Sequence, residues 1–153
     1  MNFELIVYDF DGVMTDNKVY VDASGIESVR CDRRDGFAIN RFRGMGFEQI
    51  ILTEESNQVV ACRAKKLGID CYVGIRDKDR FLVKYCATHS IDLKKVVYVG
   101  DGLNDLKIMK RIGNAFCPND ACVEVFAVAQ SLSVNGGDGV VLNLWEYLTK
   151  NFR

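Results

Sequence analysis

The chain has 153 residues, of which 48% are hydrophobic and 27% charged, and its formal net charge is −1. This size and composition predict one soluble globular domain with a full core, over residues 1–153. Because lysine and arginine are dispersed, the sequence shows no basic surface typical of nucleic-acid binding. The absence of a long apolar run or a signal-peptide pattern predicts a cytoplasmic protein with no membrane contact.

The six cysteines are scattered, with no C-x-x-C pair, and the chain has only one histidine, His89. This spacing does not favour a zinc site or a disulfide framework. We therefore expect reduced, mostly buried thiols. The six are Cys31, Cys62, Cys71, Cys86, Cys117 and Cys122.

The first predicted strand, residues 5–8, is an apolar run that stops at Asp9-Phe10-Asp11-Gly12. Such a run is typical of a buried parallel strand. Residues i and i+2 of an extended chain share a face, so Asp9 and Asp11 should point into the same space. Two carboxylates this close repel each other unless a cation lies between them or one keeps its proton. The pair therefore predicts either a divalent-metal site or a nucleophile beside a general acid.

Alternating segments on either side of Ala23-Ser24-Gly25 predict a small β-hairpin flap over about residues 17–31. Beyond it, apolar spacing and turn residues predict alternating helices and strands. Helices are expected at 35–45, from Ser56 or Asn57 to 67, from about 77 to 88, at 103–111, at 121–129, and after Gly136-Gly-Asp-Gly139. Strands are expected at 47–52, 71–74, 96–99, 114–117 and 131–134. The predicted apolar contacts are Phe37, Ile39 and Phe42 in the first helix, and Val140, Leu144, Tyr147 and Leu148 in the last.

This alternation predicts right-handed βαβ units and hence an α/β three-layer sandwich with a mostly parallel, Rossmann-like sheet. Ligands of such sheets bind beyond the carboxyl ends of the strands. Thr53, Lys78 and Asp101 each follow a predicted strand, so we expect them to converge with Asp9 and Asp11 at that edge.

These residues form four motifs in a fixed order: D-x-D-G-x-x-T-D from Asp9, then Thr53, then Lys78, then G-D-x-x-N-D from Gly100. Together they resemble the haloacid dehalogenase (HAD) superfamily of phosphotransferases. The resemblance implies that Asp9 is a nucleophile that forms an aspartyl-phosphate. It also implies that Asp11 protonates the leaving alcohol and later activates water.

The same resemblance implies a Mg²⁺ cofactor bound by Asp9, the backbone carbonyl of Asp11, and Asp101. Asp105 and Asn104 are expected to support that shell. A carboxylate can approach a phosphate dianion only when Mg²⁺ and Lys78 neutralise its charge, and Thr53 can donate to a transferring oxygen.

The gaps between these motifs are too short for an inserted cap domain. Capless members with D-x-D-G-V-x-T-D, a hairpin, the R-A-K-K-L-G segment at 63–68 and a late G-G-x-G resemble the 3-deoxy-octulosonate 8-phosphate phosphatase group. That group includes phosphatases of nonulosonate 9-phosphates, and the C-terminal domain of some CMP-sialate synthetases. Its members are typically homotetramers in which one subunit's hairpin helps to close a neighbour's site, and we expect that assembly.

Within the group, octulosonate phosphatases usually read T-G-R where this chain reads Thr53-Glu54-Glu55. Glu55, Arg63 and Lys66 match a substrate-binding set of the nonulosonate phosphatases. Arg63 and Lys66 are three apart, so one helix face can present both cations to a carboxylated sugar, with Glu55 orienting them. The alternative is an exposed helix with ordinary ion pairs.

We therefore predict a phosphatase of a nonulosonate 9-phosphate, such as that of KDN or N-acylneuraminate, in sialic acid biosynthesis. The alternatives are an octulosonate 8-phosphate phosphatase and a weakly catalytic oligomerisation module. A phosphoacceptor receiver domain is disfavoured, because Thr53 stands where its phosphorylated aspartate would be needed. Leu142 occupies the family's usual tail arginine position, and Arg33 or Arg34 could replace that cation.

Overall fold

The computed structural model describes residues 2–151, and within that range it contains eight strands and five α-helices. The strands are β1 (Leu5–Tyr8), β2 (Thr15–Val21), β3 (Glu27–Cys31), β4 (Glu48–Leu52), β5 (Asp70–Tyr72), β6 (Val96–Val99), β7 (Asn114–Cys117) and β8 (Gln130–Ser131). The helices are α1 (Arg34–Gly44), α2 (Gln58–Leu67), α3 (Lys78–Thr88), α4 (Leu106–Met109) and α5 (Val140–Asn151).

Six of the strands form one parallel sheet in the order β5-β4-β1-β6-β7-β8. β1 is central, and its last residue, Tyr8, lies opposite Ile51 of β4 and Val99 of β6. β2 and β3 form the predicted antiparallel hairpin outside this sheet. The carboxyl ends of β1, β4 and β6 therefore lie side by side at one edge.

The sheet separates two hydrophobic clusters, because successive side chains of a strand point to opposite faces. Ile6 and Tyr8 pack with residues of α1, α2 and α5, whereas Leu5 and Val7 pack with residues of α3 and α4. All four of these β1 residues are fully buried. The predicted three-layer sandwich is confirmed.

Local signals set the bounds of α2. The Asn57 side chain accepts a hydrogen bond from the Val59 N–H at the amino end, and Gly68 takes a left-handed conformation with φ +68° at the carboxyl end. Both are standard ends of a helix. The described chain holds only the hairpin and α1 between β1 and β4, which agrees with the absence of a cap domain.

Three predictions about the helices are wrong. Residues 121–129 contain only a 3₁₀ turn at Val125–Ala127. The helix expected at 103–111 has only four residues. The Asp105 side chain accepts the backbone N–H groups of Asp101 and Gly102, which holds the preceding residues in a turn. Phe37 is 49% exposed, since the buried face of α1 consists of Asp35, Ala38, Ile39 and Phe42. By contrast, Tyr147 of α5 is half-buried and packs against the core, as predicted.

All six cysteines are free thiols, as predicted, but only Cys86 and Cys117 are buried, and Cys62 is exposed. Across residues 2–151, no helix has the length and apolar character that a bilayer span requires.

Candidate active site

Loops at the carboxyl edge of the sheet enclose a cavity of about 330 Å³. The lining comes from the segments that follow β1, β4 and β6, and from Asn17 of β2. The lining residues are Asp9, Asp11, Asn17, Thr53, Glu54, Glu55, Asp101, Gly102 and Asn104. The structure therefore brings together the three motif carboxylates and the Thr53 hydroxyl that the sequence placed at strand ends. It adds Asn17 and Glu54, which the sequence analysis did not identify.

Lys78 lies behind the cavity lining, where its fully buried side chain contacts Asp9. Its Nζ is 2.7 Å from Asp9 Oδ2 and 2.7 Å from Asp105 Oδ1. It reaches this position from the first turn of α3, whose amino end is capped by the Asp77 side chain. Burial alone would lower the pKa of Lys78, but the two adjacent carboxylates raise it above its ordinary value. Lys78 is therefore a fixed positive charge beside Asp9.

Asp105 is the centre of this buried network. Its Oδ1 accepts hydrogen bonds from Lys78 Nζ at 2.7 Å and the Tyr98 hydroxyl at 2.6 Å. Its Oδ2 accepts the backbone N–H groups of Asp101 and Gly102, each at 3.1 Å. Four bonds fill the acceptor capacity of a carboxylate. Asp105 thus supports the Asp101 loop and Lys78, and has no lone pair left for a metal.

Tyr98 was not identified from the sequence. It lies within the fully buried run of β6, and a buried tyrosine hydroxyl nearly always has a polar partner. That rule could have indicated a polar group behind the strand, but could not have named Asp105.

The donor set fits a divalent cation that prefers oxygen ligands. Asp9, Asp101 and Asp105 each offer a carboxylate oxygen, and these three atoms lie within 4.8 Å of one another. Burial and the nearby Asp105 charge raise the pKa of Asp9 to about 8 and that of Asp101 to about 7. Such carboxyl groups ionise readily only beside a positive charge. Because Asp105 is already saturated, Asp9 and Asp101 are the available ligands.

The D-x-D-G-x-x-T-D loop needs its glycine. Gly12 has φ +78°, and a Cβ at this position would lie 2.0 Å from Asp101 Oδ2. Three residues on, the buried Thr15 hydroxyl donates to Asp11 Oδ1 at 3.0 Å. Burial raises the pKa of Asp11 despite this hydrogen bond. Asp11 therefore lies at the cavity with an increased tendency to hold a proton.

Thr53 is buried at the end of β4, and its Oγ1 accepts the Glu55 N–H at 3.1 Å. It therefore fixes the backbone of the Glu54-Glu55 turn as well as lining the cavity. Asn104 also lines the cavity, and its Nδ2 donates a hydrogen bond to Glu54 Oε2 at 3.4 Å.

The predicted substrate set is divided between two places. Glu55 lines the cavity, whereas Arg63 and Lys66 line a separate concavity of about 240 Å³ together with Arg33. The expectation that Glu55 orients the two cations is wrong within this chain. Its Oε1 accepts the N–H groups of the next two residues at 2.6 and 2.8 Å, and Arg63 donates to the Asp32 carbonyl at 2.7 Å.

Within residues 2–151, the tail supplies no cation to the first cavity. Leu142 is half-buried in the first turn of α5, where its N–H donates to Asp35 Oδ1. Arg34 pairs with Asp32 and donates to the Asp138 carbonyl. Among the described residues, the lining of the first cavity contains five carboxylates and neither lysine nor arginine.

Comparison with known proteins gives consistent matches. Residues 46–144 match the family of haloacid dehalogenase-like hydrolases. The 3-deoxy-D-manno-octulosonate 8-phosphate phosphatase of Yersinia pestis is 30% identical over 92% of this chain and 76% of its own length.

Solved structures agree. A Streptomyces avermitilis protein assigned to the HAD hydrolases is 37% identical with a TM-score of 0.91, over 94% of this chain and 84% of its own. The octulosonate 8-phosphate phosphatase of Moraxella catarrhalis, solved with magnesium, phosphate and KDO, is 29% identical with a TM-score of 0.92, over 97% and 87%. The chain therefore belongs to the family of haloacid dehalogenase-like hydrolases, within which it is a phosphoric monoester hydrolase.

Proposed function

We propose that this chain is a Mg²⁺-dependent phosphatase of a 2-keto-3-deoxy sugar acid phosphate, with 3-deoxy-octulosonate 8-phosphate as its first candidate substrate. The observation that carries the reaction type is the buried Lys78, whose Nζ lies 2.7 Å from Oδ2 of Asp9, a residue that lines the acidic cavity. The substrate class is supported by the activity of the Yersinia pestis and Moraxella catarrhalis relatives.

In the proposed reaction, Asp9 attacks the phosphorus atom, so that an Asp9–phosphorus bond forms while the bond to the sugar oxygen breaks. Asp11 gives its proton to the leaving sugar oxygen. A water molecule then attacks the phosphorus, Asp11 takes its proton, and the Asp9 carboxylate leaves. The raised pKa of Asp11 suits a group that must first hold a proton.

Asp9 and Asp101, with the backbone carbonyl of Asp11, would hold the Mg²⁺. Asp105 would orient Asp101 by accepting the backbone N–H of Asp101. When bound, Mg²⁺ neutralises the phosphate and draws charge from its oxygens. Lys78 holds Asp9 in place and adds a second positive charge next to the reacting group. Thr53 is positioned to donate to a transferring oxygen.

A nonulosonate 9-phosphate is the second candidate substrate. Glu55 supports it, because this residue lines the cavity where octulosonate phosphatases usually carry arginine. An acidic side chain there favours a longer substrate that is held through hydroxyl groups, or through cations supplied from elsewhere.

A neighbouring subunit is the proposed source of those cations. A sugar acid phosphate is strongly anionic, yet the described lining of the cavity has no lysine or arginine. Arg33, Arg63 and Lys66 line a concavity of their own. The hairpin also exposes apolar side chains, with Tyr20 at 67% and Ile26 at 67%. We propose a homotetramer in which the hairpin and the Arg63 concavity of one subunit complete the site of another.

The deciding experiment measures phosphate release from octulosonate 8-phosphate and from a nonulosonate 9-phosphate, with Mg²⁺ and with EDTA. We expect metal-dependent release that Asp9→Asn abolishes, with faster turnover of the eight-carbon substrate. Faster turnover of the nine-carbon substrate would keep the mechanism and reassign the substrate. No release from either by a folded oligomer would favour the oligomerisation module.

Subunit sharing is tested by mixing. Asp9→Asn subunits and Arg63→Ala/Lys66→Ala subunits are each expected to be inactive as homotetramers. If sites are shared, unfolding and refolding them together restores part of the activity, because some sites combine an intact Asp9 with a neighbour's intact Arg63. No recovery in verified mixed tetramers would contradict the arrangement.

A further inference from the structure

An ion-pair cluster outside the first cavity joins the amino end of α3 to the segment of α4. Asp79, which directly follows Lys78, is 5% exposed. Its Oδ1 lies 2.7 Å from Arg111 Nε, and its Oδ2 lies 3.1 Å from Lys107 Nζ. Lys107 also approaches Asp77, the capping residue of α3, at 3.7 Å. Both cations come from the segment that begins at Asp105.

The cluster runs parallel to the buried network of the site. On the inner side, Lys78 of α3 binds Asp105 at the start of α4. On the outer side, the next residue of α3, Asp79, binds Lys107 and Arg111 from the same segment. The same two pieces of chain are therefore held together twice, once by the buried Lys78–Asp105 pair and once by the ion pairs of Asp79 near the surface.

The outer contacts matter because α4 is weak by itself. It has four residues, and the side chain of its amino-terminal capping residue, Asp105, makes no capping hydrogen bond to the helix. A helix this short is unstable without tertiary contacts. Its apolar contacts come from Ile108 and Met109, which are buried but do not bind α3 through polar atoms. The ion pairs of Asp79 supply an electrostatic link between the α4 segment and the turn that carries Lys78.

We propose that Asp79 is a positioning residue, which holds the first turn of α3 against α4 and thereby keeps Lys78 Nζ between Asp9 and Asp105. It touches no reacting atom in the proposed reaction. Its removal would leave Lys107 with only its longer contact to Asp77, take from Arg111 its Asp79 partner, and allow the turn of α3 to move relative to Asp105. Because catalysis depends strongly on exact placement, a small displacement of Lys78 would lower turnover more than substrate binding.

The test compares Asp79→Asn with Asp79→Glu and with a control, Glu4→Gln, which removes the Glu4–Lys95 ion pair remote from the cavity. The substrate is p-nitrophenyl phosphate with Mg²⁺. We expect Asp79→Asn to lower kcat by about tenfold with KM changed less than about twofold, and Asp79→Glu to restore most of the loss. Glu4→Gln should leave kcat unchanged.

This proposal rests on the proposed function only for its kinetic test. A second measurement therefore follows the position of Lys78 without any assay of activity. The buried Lys78 ammonium group should give an NMR signal protected from exchange with water, and Asp79→Asn should weaken or broaden it. If Asp79→Asn does not fold, Lys107→Gln/Arg111→Gln removes the same contacts from the exposed side. Unchanged kcat together with an unchanged Lys78 signal would overturn the proposal. An altered signal in a protein without phosphatase activity would support it and contradict the proposed function instead.

Discussion

Replacement of Lys78 by methionine tests the electrostatics of the buried network. The side chain is fully buried and makes two charge-assisted contacts of 2.7 Å, to Asp9 and to Asp105. Methionine keeps much of the volume but removes the charge, so the two carboxylates lose the cation between them. Removing one partner of a buried ion pair costs about 3–5 kcal/mol. The loss of two charge-assisted hydrogen bonds, at about 1.5–3 kcal/mol each, gives a similar sum.

The loss should depend on pH with a definite sign. The pKa of Asp9 is already raised to about 8, mainly by burial, and Lys78 opposes that shift. Without Lys78 the pKa of Asp9 rises further, so more of the folded protein holds this proton than the unfolded protein does. Such a carboxyl group lowers the free energy of unfolding as pH increases above its unfolded pKa. Lys78→Met should therefore be more destabilised at pH 8.5 than at pH 6.

The assay is urea unfolding in EDTA, followed by circular dichroism. We expect Lys78→Met to lose about 3–5 kcal/mol of the free energy of unfolding. Lys78→Met/Asp105→Asn should recover at least half of this loss, because it removes one uncompensated charge. Lys95→Met, which breaks a half-exposed ion pair, is the control and should cost less than about 1 kcal/mol. A single variant as stable as the parent, or a double variant no better than the single, would refute the reasoning.

Three further predictions concern local structure. Gly12→Ala should abolish tight Mg²⁺ binding, measured by calorimetry, because its Cβ would lie 2.0 Å from Asp101 Oδ2; retained affinity would argue against Asp101 as a ligand. Burial raises the pKa of Asp35 to about 6, so the free energy of unfolding of the parent should fall by about 2 kcal/mol relative to Asp35→Asn as pH rises from 4 to 6. The same pH dependence in both proteins, measured by urea unfolding, would disprove this. Asn57→Ala should lower the free energy of unfolding by about 1 kcal/mol, because the Val59 N–H loses its acceptor; Gln58→Ala is the control.

Much of the site could be predicted because it lies where strands end. The run before Asp9 predicts a buried strand, and the order of Thr53, Lys78 and Asp101 along the chain follows the strands β4, β5 and β6. A parallel sheet then brings these residues to one edge whatever the details of packing. Local end signals such as Asn57 and Gly68 are equally readable, since they act within four residues.

The predictions that were wrong depend on which side chains meet across the fold. Glu55 binds the backbone beside it instead of orienting Arg63, and Phe37 lies off the buried face of its helix. In both cases the residue type and its spacing allowed either outcome. The outcome depended on other contacts: the N–H groups of the turn for Glu55, and the packing of the other α1 side chains for Phe37.

By itself, the sequence determined the order of the sheet strands and the carboxylates Asp9, Asp11 and Asp101, because these follow from periodicity and from short motifs. The class of chemistry followed from the resemblance of those motifs to the HAD superfamily. Only the tertiary structure decided that Asp105 accepts four hydrogen bonds, that Tyr98 is one of its donors, and that Asp79 meets Arg111 32 positions away. Contacts of this kind depend on how helices pack against the sheet. A local pattern of residues does not predict that packing.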